Sequence, residues 1–150
     1  MKKILFFDDE PYISRYLIAC LNQISKDNNY EWDIKFISTI EDLLKEINNV
    51  TVTYDLYIFD VMVPLPSGEV ENLFTKDDLN KMNNGMSTGL VMVDKIRKKQ
   101  KKVPILYLSA RLIPPIPQSE KSYTAYIRKP ESPDNIAKKI NELLNKIIKL

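Results

Sequence analysis

ILFFDDEP, residues 4 to 11, joins four apolar residues directly to Asp8, Asp9 and Glu10 and then to Pro11, with no basic residue alongside to offset the charge. Four apolar residues in a row, without polar alternation, suit a strand buried on both faces, as in a parallel sheet covered by helices. The acids then stand where that strand runs out. Working outward from this stretch, similar short runs return at Ile34 to Ile37, Leu56 to Phe59, Ile105 to Leu108 and Tyr126-Ile127. Helix-period segments separate them, so five β units alternating with helices are expected to form a parallel sheet.

The helices have their own signals. Ile13, Leu17, Cys20, Leu21 and Ile24 recur at helical spacing, which predicts a first helix with Cys20 as a small core residue. Ser38 or Thr39 is the expected N-cap of a second, with Glu41 and Asp42 in its first turn and Leu43, Leu44 and Ile47 facing inward. A third follows Gly89, with Leu90, Val93 and Ile96 inward. The last has Ser132 as N-cap, Pro133 at the first helical position, and Ile136, Ile140, Leu143, Leu144 and Ile147 toward the sheet.

Two segments break the alternation. From Val61 to Thr88 the chain runs for 28 residues, with the surplus at about 65–88, where a strand-to-helix loop normally takes about 2 to 6. Its middle, Glu69 to Met82, is expected to form one short helix or a hairpin. Later, Arg111-Leu112-Ile113-Pro114-Pro115-Ile116-Pro117 occupies the place of a fourth helix. Three prolines forbid a regular helix there, so any helix must be short and begin near Pro117.

With 150 residues, 44% hydrophobic and 28% charged, the chain reads as one soluble domain spanning 1–150 without a separate output domain. It contains no histidine and a single cysteine, Cys20. That excludes an intrachain disulfide, a cysteine-built zinc site and imidazole base chemistry, and leaves hard, oxygen-liganded metals. No apolar run reaches membrane-span length, so a cytoplasmic setting is expected. Residues 1–94 hold 8 Lys and Arg against 16 Asp and Glu, a charge of −8, whereas residues 95–150 hold 14 against 4, a charge of +10. Much of the basic part is Arg97-Lys98-Lys99-Gln100-Lys101-Lys102, expected to be a solvated helix C-terminus complementing the dipole. Without interleaved aromatics it offers no stacking platform for nucleic acid.

In doubly wound folds ligands bind beyond the carboxyl ends of the strands, where the strand order reverses. The residues placed there are Asp8 and Asp9, Asp60, Ser109 and Lys129. With the order 2-1-3-4-5, taken by analogy with such folds, the three aspartates meet at one crevice and Ser109 and Lys129 complete its rim. Crowded carboxylates either take up protons or gather a cation, and an open all-oxygen site suits Mg2+. One screened carboxylate can then act as a nucleophile toward a phosphoryl group, with Lys129 pairing its charge and Ser109 donating to one of its oxygens.

ILFFDDEP, DLYIFDVMVP (55–64), PILYLSA (104–110) and AYIRKP (125–130) together resemble the four signature blocks of the receiver domain of two-component response regulators, of the stand-alone, chemotaxis-regulator-like type. The resemblance implies a flavodoxin-like α/β fold with helices on both faces of the sheet. It makes Asp60 the phosphoacceptor, Asp9 a direct Mg2+ ligand, Asp8 a ligand through water, and the Met62 backbone carbonyl a further ligand. Ser109 and Lys129 would contact the phosphoryl group, and Tyr126 would turn inward when Ser109 follows it. The Lys129-Pro130 bond resembles one that is cis in the family. A sensor histidine kinase or phosphotransfer protein would supply phosphohistidine, an output protein would read the switch, and the chain would be a monomer or a phosphorylation-dependent dimer. Such a protein signals, catalysing only its own phosphorylation and slow dephosphorylation.

Departures from that pattern set further expectations. The insertion is either a lid or kinase-docking surface whose Glu69, Glu71, Asp77 and Asp78 tune metal binding, or a solvated Asn-rich loop. The proline-rich stretch puts output by the usual face in question, and Arg111 falls where side chains influence access of attacking water. Tyr126 is either a coupling residue or an edge residue with its hydroxyl in water. Two rival functions are a phosphorylation-independent binding module and a Mg2+-dependent phosphohydrolase with an aspartyl nucleophile. The hydrolases resemble an Asp-x-Asp pattern, and Asp60-Val61-Met62 lacks its second acid.

Overall fold

A computed structural model describes residues 1–146. Five strands, β1 (Lys2–Phe7), β2 (Trp32–Ile37), β3 (Leu56–Phe59), β4 (Ile105–Ser109) and β5 (Thr124–Arg128), form one sheet in the order β2-β1-β3-β4-β5. Every neighbouring pair is parallel, and the expected order holds.

Alternation along the strands divides the core in two. Leu5, Phe7, Tyr57, Phe59, Ile105 and Tyr107 face one way, with α2 (Ile40–Asn48) and α4 (Thr88–Lys99). Ile4, Phe6, Leu56, Ile58, Leu106 and Leu108 face the other, under α1 (Pro11–Asp27) and α5 (Pro133–Lys146). The inner strands are buried on both sides, which is why their sequences are continuously apolar. Thr39 caps α2 by accepting from the Asp42 N–H at 3.2 Å, and the Ser132 hydroxyl accepts from the Asn135 N–H at 3.2 Å ahead of α5. Ile136, Ile140, Leu143 and Leu144 are buried as expected, while Ile147 lies outside the described residues.

On α1 the inward face is rotated by one residue from the expected stripe. Ile13 is exposed and Cys20 partly so, whereas Ser14, Leu21 and Ser25 are buried with Leu17, Ile18 and Ile24 packed beside them. Small hydroxyl residues occupy inner positions, and a stripe counted from apolar residues alone misses them. Ser25 belongs there because its hydroxyl accepts from the buried Trp32 N–H at 3.2 Å.

The insertion is not a solvated loop. Val61, Val63, Phe74 and Met82 are buried in the core shared with α2 and α4. Its middle does hold one short helix, α3 (Lys76–Lys81), as expected, but a separate 3-10 turn over Gly68–Leu73 precedes it. Phe74 between them is extended, and turning its ring into the core interrupts the helix. Thr75 caps α3 by accepting from the Asp78 N–H at 3.0 Å. Helix α4 begins at Thr88, so Gly89 lies inside it. There a Cβ would meet the Asp60 carbonyl oxygen at 2.1 Å, and only glycine lets the helix approach the end of β3.

The proline-rich stretch forms no regular helix, and a 3-10 turn over Gln118–Glu120 follows Pro117, as expected. Arg97 departs from the expected solvated face. Its guanidinium donates to the Val103 carbonyl and the Thr124 hydroxyl and lies over the Tyr123 ring at 4.7 Å. It fastens α4 to the starts of β4 and β5.

Candidate functional site

Strand register carries the polar residues to one edge. The Asp60 N–H donates to the Phe7 carbonyl at 3.0 Å and the Lys129 N–H to that of Ser109 at 3.0 Å, so neighbouring strands end level. Just past those ends, Asp8, Asp9 and Asp60 bring carboxylate oxygens within 4.8 Å of one another. Asp8 is 2% exposed. Its Oδ1 accepts from the Glu10 N–H at 2.9 Å, fixing the turn into α1, whose first residue is Pro11.

Lys129 arrives from β5, 121 residues after Asp8. Its Nζ lies 2.6 Å from Asp8 Oδ2 and 3.3 Å from Asp60 Oδ2, bridging the two acids. Burial alone would lower the ammonium's pKa, but the hydrogen bond and charge of Asp8, followed by Asp60, hold it above the ordinary lysine value. Among the described residues Asp9 has no such partner. Its pKa is raised, first by burial, then by the negative charge of Asp8, with Asp60 and Glu10 adding to it. The other Asp60 oxygen accepts from the Met62 N–H at 3.2 Å.

These groups border a cleft of about 670 Å³, lined by Asp9, Glu10, Asp60, Ser109, Ala110 and Lys129 together with Met62 to Leu65 and Asn84 to Met86 of the insertion. The structure therefore brings Asp8, Asp9, Asp60 and Lys129 into direct proximity and sets Ser109 and Met62 on the same cleft. Ser109 is fully buried, its hydroxyl accepting from the Arg111 N–H at 3.3 Å. Tyr126 stands behind this loop. Its hydroxyl donates to the Arg111 carbonyl at 2.9 Å, not to water, with the Ser109 carbonyl 3.4 Å away. The Lys129-Pro130 peptide is cis, as the resemblance implied.

The donor set fits a hard divalent cation: three carboxylates converge, one of them without a cationic partner among the described residues, and no histidine or thiol competes. The four insertion acids do not line the cleft. Asp77 pairs with Lys81 at 2.8 Å, and Asp78 with Lys95 of α4 at 3.2 Å. Nothing in the sequence announces the contact of the Arg111 guanidinium with the Met86 carbonyl and the Ser87 hydroxyl. Its partners lie 25 and 24 residues away, and no local pattern marks such a pair.

No family model matches the chain, and neither does any curated protein. Solved structures do. A CheY-like response regulator receiver domain protein from Methanospirillum hungatei is 19% identical, with 99% of this chain and 98% of that one covered at a TM-score of 0.66. The response regulator TrrA in complex with the histidine kinase ThkA gives 27% identity, 96% and 99% coverage, and a TM-score of 0.62. TrrA from Thermotoga maritima in complex with Mg2+-BeF gives 26%, 95% and 99%, and 0.58. The chain thus has the fold of response-regulator receiver domains over nearly its whole length. Among the described residues, no helix is long and apolar enough to cross a membrane.

Proposed function

We propose that this protein is a phosphoryl-accepting switch of a two-component system, working in the cytoplasm, with Asp60 as the acceptor. The observation that carries the reading is the meeting of Asp8, Asp9 and Asp60 within 4.8 Å, with Lys129 bridging two of them at the edge of an open cleft. Asp60 is the acid best suited to accept. One of its oxygens is held by the Met62 N–H, and the other faces Lys129 across 3.3 Å, a longer contact than the 2.6 Å pairing with buried Asp8.

In the reaction, an Asp60 carboxylate oxygen attacks the phosphorus of a phosphohistidine on a kinase or phosphotransfer protein. The phosphorus–nitrogen bond breaks, the imidazole leaves with the electron pair and takes up a proton, and an acyl phosphate remains. No general base is required, because a carboxylate oxygen attacks without giving up a proton. Lys129 pairs with the added negative charge, and the Ser109 hydroxyl, which accepts from Arg111, has its own proton free to donate to a phosphoryl oxygen. Mg2+ would be held by Asp9 and Asp60, by Asp8 through water and by the Met62 carbonyl, supplying positive charge against the phosphoryl oxygens. The TrrA structures with a histidine kinase and with Mg2+-BeF support the partner and the metal. Tyr126, bonded behind Ser109, is placed to sense movement of that loop and pass it toward an output protein.

Incubation with Mg2+ and acetyl phosphate, followed by intact mass, is expected to show a base-labile phosphoryl adduct in wild type and none in Asp60→Ala. An adduct persisting in Asp60→Ala refutes the assignment. No adduct in either protein favours a module that acts through its surface alone, and sustained phosphate release over many turnovers points to a hydrolase.

A further inference from the structure

A second hollow lies apart from the acidic cleft, where α2 and α4 both run out beside β3. Its volume is about 450 Å³, within the range of small-molecule sites. Ile47 in the last turn of α2 and Ile96 of α4 line it, with Val50 and Val52 of the loop into β3 and Tyr57 of β3 itself. Tyr57 and Ile96 are buried, so the deepest part of the lining is apolar, whereas Val50 is 91% exposed at the mouth.

The charge around this hollow is of one sign. No aspartate or glutamate lines it, and Lys99 does. The Lys99 ammonium donates to the Ile47 carbonyl at 3.0 Å and to the Asn48 side-chain oxygen at 3.1 Å, both neutral acceptors. Among the described residues no carboxylate pairs with it. An ammonium has three donors, so one is left over. The acids nearby are already engaged: Glu46 lies 2.7 Å from Lys35 and accepts from Tyr54, and Asp55 lies 3.1 Å from Lys2. Lys101 and Lys102, exposed just past α4, add positive charge that outweighs the partial negative charge of the two helix C-termini. Gln100, also in the lining, accepts from the Tyr57 hydroxyl at 3.3 Å through its side-chain oxygen, and its amide nitrogen remains a donor.

We propose that this hollow binds a small amphiphilic carboxylate, with its alkyl or aryl body against Ile47, Val52, Tyr57 and Ile96 and its carboxylate on the Lys99 ammonium and the Gln100 amide. Each half of such a ligand answers one feature of the site. The body removes its own apolar surface and that of the lining from water. The carboxylate supplies the anionic acceptor that Lys99 lacks, and a neutral ligand of the same shape leaves that charge unmatched. One ammonium and one amide suit a monoanion. A phosphate would call for a helix N-terminus or several converging cations, and both helices present their C-termini here.

The test is a titration of the full chain with sodium octanoate below its micelle-forming concentration, followed through the backbone amide chemical shifts. Octanoate is expected to saturate and to shift the amides of Ile47, Val52, Tyr57, Ile96 and Gln100. Octan-1-ol, which keeps the body and loses the charge, should bind at least about threefold more weakly, the worth of one screened ion pair. Acetate, which keeps the charge and loses the body, should not saturate. Lys99→Met retains the length of the stem without the ammonium, and Gln100→Glu places a carboxylate at the rim. Both should weaken octanoate at least about threefold and leave octan-1-ol unchanged. The inference is overturned by octanoate shifts that do not saturate or that centre elsewhere, by octan-1-ol or acetate binding as tightly as octanoate, or by unchanged octanoate affinity in Lys99→Met. Should Lys99→Met fail to fold, unchanged affinity in Gln100→Glu overturns it.

Discussion

Replacing Asp9 by Asn removes a carboxylate from a crowded site and should stabilise the protein in the absence of metal while destroying its response to metal. Asp9 oxygens lie within 4.8 Å of both Asp8 and Asp60. At that distance two unit charges repel by about 3 kcal/mol for an effective dielectric of ~20 and about 0.9 kcal/mol for ~80. Asp9 is only partly buried and Lys129 offsets its two neighbours, so the lower figure governs each pair. Two such pairs give about 1–2 kcal/mol, or about 3–6 °C in Tm for a chain of this size.

The pH dependence has a definite sign. Because the folded-state pKa of Asp9 is raised, wild type binds this proton more tightly when folded. The resulting stabilisation is complete below about pH 4 and is lost as pH rises through the raised value. The advantage of Asp9→Asn therefore appears over that window and stays level above it. With Mg2+ at about 100 times its dissociation constant, wild type should gain about 2.7 kcal/mol and the variant much less, inverting their order. Urea unfolding in EDTA and in Mg2+ reads both effects. A variant less stable than wild type in EDTA, or one stabilised equally by Mg2+, would refute the assignment of Asp9 as the unpaired metal ligand.

Met82→Ala should cost about 2–5 kcal/mol in urea unfolding, because the side chain is fully buried; a loss under about 0.5 kcal/mol would return the insertion to the status of a solvated loop. Gly89→Ala should abolish folding or cost more than about 3 kcal/mol, since its Cβ meets backbone atoms of Asp60 and Val61 at 2.1 and 2.8 Å. Near-wild-type thermal unfolding would contradict that packing. Arg97→Ala should lose about 2–3 kcal/mol through two hydrogen bonds and a cation–π contact, with Arg97→Lys recovering little because it lacks the fork. Equal stability of Arg97→Ala and wild type would make it the solvated cation that its sequence neighbourhood suggests.

Features encoded by short-range chemistry can be read directly along the chain. Continuous apolar runs specify strands buried on both faces, and polar residues within two positions of each run's end mark the carboxyl edge. Asp8, Asp9, Asp60, Ser109 and Lys129 were legible for that reason, as were the Thr39 and Ser132 caps, each a bond between residues three apart. Features that depend on which distant surfaces meet are fixed by long-range packing. Ser14 faces inward and Ile13 outward because of how α1 docks, and Phe74 divides the insertion because a core pocket receives its ring. Arg97 reads as a solvated cation in the sequence and Arg111 has no local pattern marking its partners, yet each becomes a tie once those partners are brought to it. A guanidinium binds whatever acceptors the completed fold leaves within reach, and those acceptors are set by long-range packing rather than by neighbours along the chain.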